Sequence, residues 1–215
     1  MDASSWILPL IIVAALGTTV AYFMGRRQNV TLMKLYAGVM EDAIKPADQT
    51  YTWLGGYLGY KAEYVLKDDA VKGIKATLHL KPRMSIMYLP VSRFTMPHDK
   101  LYLVIESKKG LQGEAHLIKK GQYRFVPAGI DHIEQFQRKA VVLGGVEFQL
   151  LYLDSKGEKA ILGWAESIKA DDYSKIKHIS FTSSTNVVYA KIDPDDSIIP
   201  KALRTGLEFT RSLAK

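Results

Sequence analysis

Histidine and aspartate stand side by side twice in this chain, and the two pairs are its best candidates for acid–base chemistry. His98 precedes Asp99, and Asp131 precedes His132. A histidine beside a carboxylate can accept and donate protons near neutral pH. The pairs would form an enzyme site only if folding brings all four residues into one pocket. Glu134 adds little, because on a helix it would diverge from His132 by about 200°.

The sequence lacks the usual patterns of metal and cofactor sites. No two histidines are spaced as His-x-His or His-x-x-x-His, and the absence of cysteine excludes thiolate metal sites, disulfides and cysteine nucleophiles. The glycines around Gly55 and Gly110 lack the Lys-Ser/Thr that completes a phosphate-binding loop. Ser183 and Ser184 do not stand in a nucleophile-elbow sequence. We therefore expect no metal and no cofactor.

Positive charge is concentrated in the middle of the chain. The net charge is +7, and residues 72–139 hold thirteen lysines and arginines against five acidic residues. In a membrane protein such a region can contact anionic lipid, at about 1 kcal/mol per nearby cation. Nucleic acid is a less favoured partner, and a solvated face without a ligand is the third alternative. The candidate lipid- or anion-binding residues are Lys75, Lys81, Arg83, Arg93, Lys108, Lys109, Lys119 and Lys120.

All of these residues follow a long apolar run near the N-terminus, which determines where they are placed. Residues 6–24 contain no charged side chain, and as a helix they extend about 28 Å, close to the ~30 Å hydrocarbon core of a bilayer. Trp6 at one end and Tyr22 with Phe23 at the other suit the two interfaces. A cleaved signal peptide fits poorly because no positive segment precedes the run. A buried core helix is the other alternative, but such helices are usually shorter or carry a polar stripe.

The charges that flank the run predict its orientation. Arg26, Arg27 and Lys34 follow it, whereas Asp2 is the only charged side chain before it. The positive-inside rule therefore places residues 1–5 outside the cell membrane and everything after the run in the cytoplasm. We expect a single-pass protein of the cell membrane.

A second helix is expected directly after the membrane span, within residues 25–46. Asn29 is a suitable N-cap, and Pro46 ends the segment. Its apolar residues cover most of the helix circumference, so the helix must be covered on several sides. It either continues the membrane helix or packs between the anchor and the soluble domain. A contact between two copies of the chain through these helices is also possible in this reading.

Residues 47–215 predict one α+β domain with a mainly antiparallel sheet or partly open barrel. Hydrophobic residues make up 47% of the chain and charged residues 24%, as in ordinary globular proteins. Apolar and polar residues alternate in residues 74–81, which is typical of a strand with one wet face. Residues 176–182 and 187–192 predict a hairpin. Asp195, Asp196 and Ser197 favour the start of an amphipathic C-terminal helix that carries Pro200 in its first turn.

Two segments in the middle of this domain are less clear. Residues 131–139 predict a short helix capped by Asp131. Residues 141–153 are the longest apolar run outside the N-terminal segment, and Gly144 with Gly145 predicts a kink or bulge in one central strand.

Together these features favour a membrane-anchored adaptor or scaffold whose basic middle region contacts membrane lipid. The tether, the charge and the lack of a trusted catalytic motif support this reading. A membrane-bound enzyme using His98, Asp99, Asp131 and His132 is the alternative. A protein partner, or a second copy bound through the membrane and juxtamembrane helices, would fit the adaptor.

Overall fold

A computed structural model describes residues 6–85, 94, 97–123, 129–169 and 173–214. These residues form three α-helices and nine strands. The helices are α1 (Ile7–Ile44), α2 (Ser155–Ser167) and α3 (Ile198–Leu213). The strands are β1 (Asp48–Trp53), β2 (Gly59–Val65), β3 (Val71–His79), β4 (Lys100–Ser107), β5 (Glu114–Lys119), β6 (Gln137–Leu143), β7 (Val146–Tyr152), β8 (Ile176–Thr182) and β9 (Val187–Ile192).

The strands form one antiparallel sheet in the order β1-β2-β3-β4-β9-β8-β5-β7-β6. Strands β1 and β6 are its two edges, and in the described part of the chain they do not pair with each other, so the sheet is open. Strands β8 and β9 form the expected hairpin in its centre. The α+β class, the antiparallel sheet and the C-terminal helix are therefore confirmed.

The three helices cover one face of the sheet and bury the main core. Helix α3 lies on β3, β4 and β9, α2 lies on β5, β7 and β8, and α1 packs on α3 and β2. Their apolar sides meet alternate residues of the central strands, such as Leu103, Leu117 and Ile179, which are almost fully buried. Alternation places the intervening residues of each strand on the opposite face, which we call the helix-free face.

Two predictions for the middle of the chain are wrong. Residues 141–153 are not one kinked strand, because Gly144 and Gly145 both have positive φ and form the tight turn of the β6–β7 hairpin. Residues 131–139 are not a helix. They contain one 3₁₀ turn at Ile133–Gln135, and β6 starts at Gln137 because its backbone pairs with β7.

The two predicted N-terminal helices are one continuous helix, α1. The prediction that Asn29 is an N-cap is therefore wrong, because Asn29 is a buried residue in the helix interior. The helix ends at Lys45 in a left-handed conformation, directly before Pro46, as the sequence predicts.

Candidate functional site at the anchor–domain junction

Helix α1 has two halves with different surroundings. Its first half is long and apolar enough to cross a membrane, and no residue of its most apolar stretch is buried. Its second half buries Gly25, Asn29, Met33, Tyr36 and Met40 against the rest of the chain. Their spacings of four, four, three and four place them on one stripe of the helix. The helix therefore leaves the apolar segment and docks on the domain without an intervening loop.

The docked half approaches the loop after β3 with backbone against backbone. A Cβ atom added to Gly25 would lie 2.4 Å from the carbonyl carbon of Arg83, far inside van der Waals contact. Only glycine allows this approach. Gly25 directly follows the apolar run, so the contact between helix and domain begins where the run ends.

A largely buried polar network, which we call the clasp and which consists of Asn29, Arg83 and Asp99, joins α1 to the domain. The Asn29 amide nitrogen donates to the carbonyl oxygens of Tyr57 and Lys81, both at 2.9 Å. Its amide oxygen accepts from Arg83 Nη1 at 3.0 Å. Both amide protons and the amide oxygen of the fully buried Asn29 are thus satisfied, as a buried amide requires.

The Arg83 guanidinium is held at its other side by a carboxylate. Nη1 and Nη2 donate to Asp99 Oδ1 and Oδ2 at 2.9 and 2.6 Å, and the backbone N–H of Lys81 donates to Oδ1 at 2.8 Å. This is the two-pronged geometry that favours arginine over lysine. The charge of Arg83 is therefore neutralised within the clasp.

Two further cations lie beside the clasp on α1. The Arg26 guanidinium lies 4.4 Å from the centre of the Tyr57 ring, a distance at which a cation is attracted to the aromatic face. Arg27 is exposed and borders an open cavity of about 590 Å³ between α1 and Arg83. The cavity begins at the end of the apolar run, so its walls combine apolar side chains with cations.

The four residues proposed for acid–base chemistry have different surroundings. Asp99 belongs to the clasp, and the exposed His98 places Nδ1 3.8 Å from Asp193 Oδ2. Asp131 and His132 are exposed, and His132 Nδ1 lies 3.7 Å from Glu134 Oε1 across the 3₁₀ turn. None of these contacts between described residues joins one pair to the other. A shared site for the four stays a prediction.

Several of the proposed lipid-binding cations meet partners within the domain. Lys75 bonds Glu106 at 2.6 Å, and Lys120 pairs with Glu147. Lys108 and Lys119 donate to main-chain carbonyl oxygens. The remaining members are Arg83 in the clasp, the half-buried Lys81, the exposed Lys109, and Arg93, which lies outside the described residues. Lipid binding by this set stays a prediction.

Four polar residues form a hydrogen-bonded chain on the helix-free face, which was not predicted from the sequence. His116 Nδ1 lies 3.2 Å from His178 Nε2, and we call these two residues the histidine pair. His116 Nε2 lies 3.0 Å from Glu114 Oε1, and the Tyr123 hydroxyl lies 2.9 Å from His178 Nδ1. If Tyr123 donates to His178, His178 to His116 and His116 to the Glu114 carboxylate, every atom is satisfied with both rings neutral.

Burial keeps the histidine pair uncharged. Burial, together with the neighbouring His116 and Lys191, lowers the pKa of His178 to about 3. Burial also lowers the pKa of His116, although Glu114 opposes this shift. Lys191, whose pKa is likewise lowered by burial, lies 4.9 Å from the Tyr123 ring centre. In the described part of the chain no group of three or more acidic or histidine residues is arranged to hold a metal ion.

Comparison with known proteins finds distant structural similarity. No family model and no curated protein matches the sequence. Among solved structures, the chain is similar to the crystal structure of the mycobacterial trehalose monomycolate transport factor A, TtfA. The TM-score is 0.43 and the identity 10%, over 82% of this chain and 93% of that one. A similarity at this level supports no inference about function.

Proposed function

We propose that the protein is a single-pass protein of the cell membrane whose cytoplasmic domain acts as an adaptor, held in one position against the inner leaflet. The observation that carries the proposal is the continuity of α1 from its exposed apolar half into its docked half. A domain attached by a flexible linker samples many distances from the membrane. A domain fixed on the membrane helix itself presents the same surfaces at the same height.

The docked stripe supports this fixed position. Gly25 and Met40 are fifteen residues apart, so the stripe extends about 22 Å along the helix. Its buried apolar side chains and the clasp resist rotation of the helix against the domain. With the apolar run in the bilayer, Arg26 and Arg27 lie at the level of the lipid headgroups, where cations are favoured on the cytoplasmic side.

An adaptor is defined by the protein that it holds, so the test is capture of a partner from membranes. The intact protein is cross-linked in cells, solubilised in detergent and purified, beside a variant whose residues 6–24 are replaced by a polyleucine span. We expect both baits to recover the same partner in near-stoichiometric amount, because the domain recognises it. Recovery of no such protein by either bait would contradict the adaptor role.

A further inference from the structure

Among the residues that the structure describes, strand β1 is an uncovered edge of the sheet beside helix α1. All six of its residues are exposed, although it lies next to the long docked half of α1. Between the two elements runs an open groove of about 260 Å³, whose walls include Met33 and Ala37 from the helix and Tyr51, Trp53 and Tyr60 from the strands. Natural proteins usually protect such an edge with charge, proline or a covering segment.

The backbone of this edge is ready to pair with another strand. Leu54 donates to the carbonyl oxygen of Gly59, which makes these two residues a closely bonded pair of the β1–β2 ladder. Such pairs alternate along antiparallel strands, so Thr52 also bonds to β2. The N–H and C=O groups of Tyr51 and Trp53 therefore point away from β2, toward the uncovered side.

The side chains of the same two residues line the groove. Tyr51 pairs with Ala62, which is buried beneath the helices, so Tyr51 and Trp53 lie on the helix-covered face. Trp53 is 52% exposed and Tyr51 39%, and large aromatic residues of this kind supply most of the binding energy in many interfaces. The Tyr60 hydroxyl beside them is buried without a hydrogen-bond partner in the described part of the chain.

We propose that this groove binds an extended segment of a different protein, which adds to β1 as a further strand. The inference rests on the proposed adaptor function and names its docking site. Main-chain hydrogen bonds to Tyr51 and Trp53 would provide affinity, and every second side chain of the segment would enter the groove. The segment should therefore alternate apolar and polar residues. Lys34 and Glu41 both line the groove, so we expect charged residues of the segment to lie beside the residue of opposite charge.

The direction of β1 argues against a second copy of this chain as the occupant. The Tyr51 hydroxyl bonds to Glu41, whereas Tyr57, just after β1, meets Arg26 and Asn29. Strand β1 therefore runs back along α1. Antiparallel pairing of two β1 edges would turn one copy end over end and point its anchor away from the membrane that holds the other. Two copies in one membrane cannot meet this way.

The test selects ligands from a displayed library of random ten-residue peptides on the full-length protein in nanodiscs. We expect the enriched peptides to alternate apolar residues with a period of two. Bound peptide should slow amide exchange at Tyr51 and Trp53, and Trp53→Ala should weaken binding by roughly thirtyfold. Tyr51→Pro, which removes one outward N–H, should weaken it more than Tyr51→Ala, which keeps the N–H. The exchange of the central strands must stay unchanged in each variant, which shows that it is folded.

The outcomes separate this site from the adaptor role itself. Three results would overturn the strand-addition site. They are enriched peptides whose apolar residues repeat with a helical period, binding that survives both Trp53→Ala and Tyr51→Pro, and no enrichment at all. If the cellular partner is still captured by Trp53→Ala, the adaptor proposal stands and its docking site lies elsewhere. A peptide-independent dimer that Trp53→Ala dissolves would show that the occupant is a second copy, against the proposal.

Discussion

Arg83 and Asp99 form a two-pronged ion pair at 2.9 and 2.6 Å, and their side chains are only 18% and 11% exposed. Removing the two charges from water costs free energy that offsets much of their Coulomb attraction. Such a pair therefore contributes less to net stability than to fixing the geometry of its side chains. Here it holds the guanidinium against Asn29 of α1. The position of the anchor helix on the domain therefore depends on a carboxylate that lies outside the helix.

Removal of that carboxylate should loosen the junction. Asp99→Ala leaves the Arg83 charge buried without its partner, and we expect a loss of roughly 3 kcal/mol in the free energy of unfolding. The matched control is Asp131→Ala, which removes an exposed carboxylate and should change stability by less than about 0.5 kcal/mol. Denaturant unfolding of the full-length protein in detergent measures both. Equal effects would show that the clasp is not a structural joint.

Substitution by alanine at two glycines of α1 should change the stability of the protein in opposite directions. Gly25→Ala places a methyl group 2.4 Å from the Arg83 carbonyl carbon, so the loop must move, at about 1–3 kcal/mol. Gly38 has no atom within 4 Å of an added Cβ, and Gly38→Ala should stabilise the helix by about 0.5–1 kcal/mol. Thermal unfolding compares the two variants. A neutral Gly25→Ala would contradict the close contact between α1 and the loop.

The histidine pair should make the domain sensitive to acid. The folded pKa of His178, about 3, lies below its ordinary value of 6.5, so the unfolded chain binds a proton more readily than the folded one. The free energy of unfolding is therefore at its full value above the ordinary pKa of His178, and it falls as the pH drops toward the pKa of the folded state. The slope reaches about 1.4 kcal/mol per pH unit for this residue. His116, whose pKa is also lowered, adds to the loss in the same direction.

Unfolding measured between about pH 7 and about pH 5 tests this linkage. We expect His178→Gln to flatten the pH profile, since glutamine does not titrate. His98→Gln is the control, because His98 is exposed, and it should leave the profile unchanged. A His178→Gln profile that runs parallel to that of the unaltered protein would show that the pair does not control the response.

In the proposed anchoring, the docking of α1 determines which end of the domain faces the membrane. Lys81 lies beside Asn29, near the end of the apolar run, whereas Val65 is the last residue of β2 and pairs with Asp48 at the start of β1. A fluorophore on Lys81→Cys should be quenched strongly by a headgroup-labelled lipid, and one on Val65→Cys weakly. Because the chain has no natural cysteine, each label occupies one site. Equal quenching would mean that the domain moves freely about its anchor.

Local sequence patterns predicted the elements that depend on local periodicity. The apolar run, the β8–β9 hairpin and the C-terminal helix follow from composition and spacing within single segments. The glycine pair Gly144-Gly145 was ambiguous because a bulge and a hairpin turn both favour positive φ. Only the pairing partner of each flanking strand distinguishes the two, and that partner is a tertiary property.

The sites were harder to predict because long-range pairing creates them. His116 and His178 are 62 positions apart and meet only because β5 and β8 are neighbours in the sheet. Asn29 resembles an N-cap in isolation, since its partners Tyr57, Lys81 and Arg83 lie far along the chain. The one local signal of the junction was a glycine, Gly25, placed directly after the apolar run.

The central claim is that α1 crosses the membrane once and leaves the domain inside the cell. Labelling of single cysteines with a membrane-impermeant maleimide tests it most directly, again because the chain has no cysteine of its own. We expect Ser4→Cys to be labelled on intact cells and Ser212→Cys, exposed at the end of α3, only after the cells are opened. Labelling of Ser212→Cys on intact cells, or recovery of the protein free of the membrane fraction, would contradict the account.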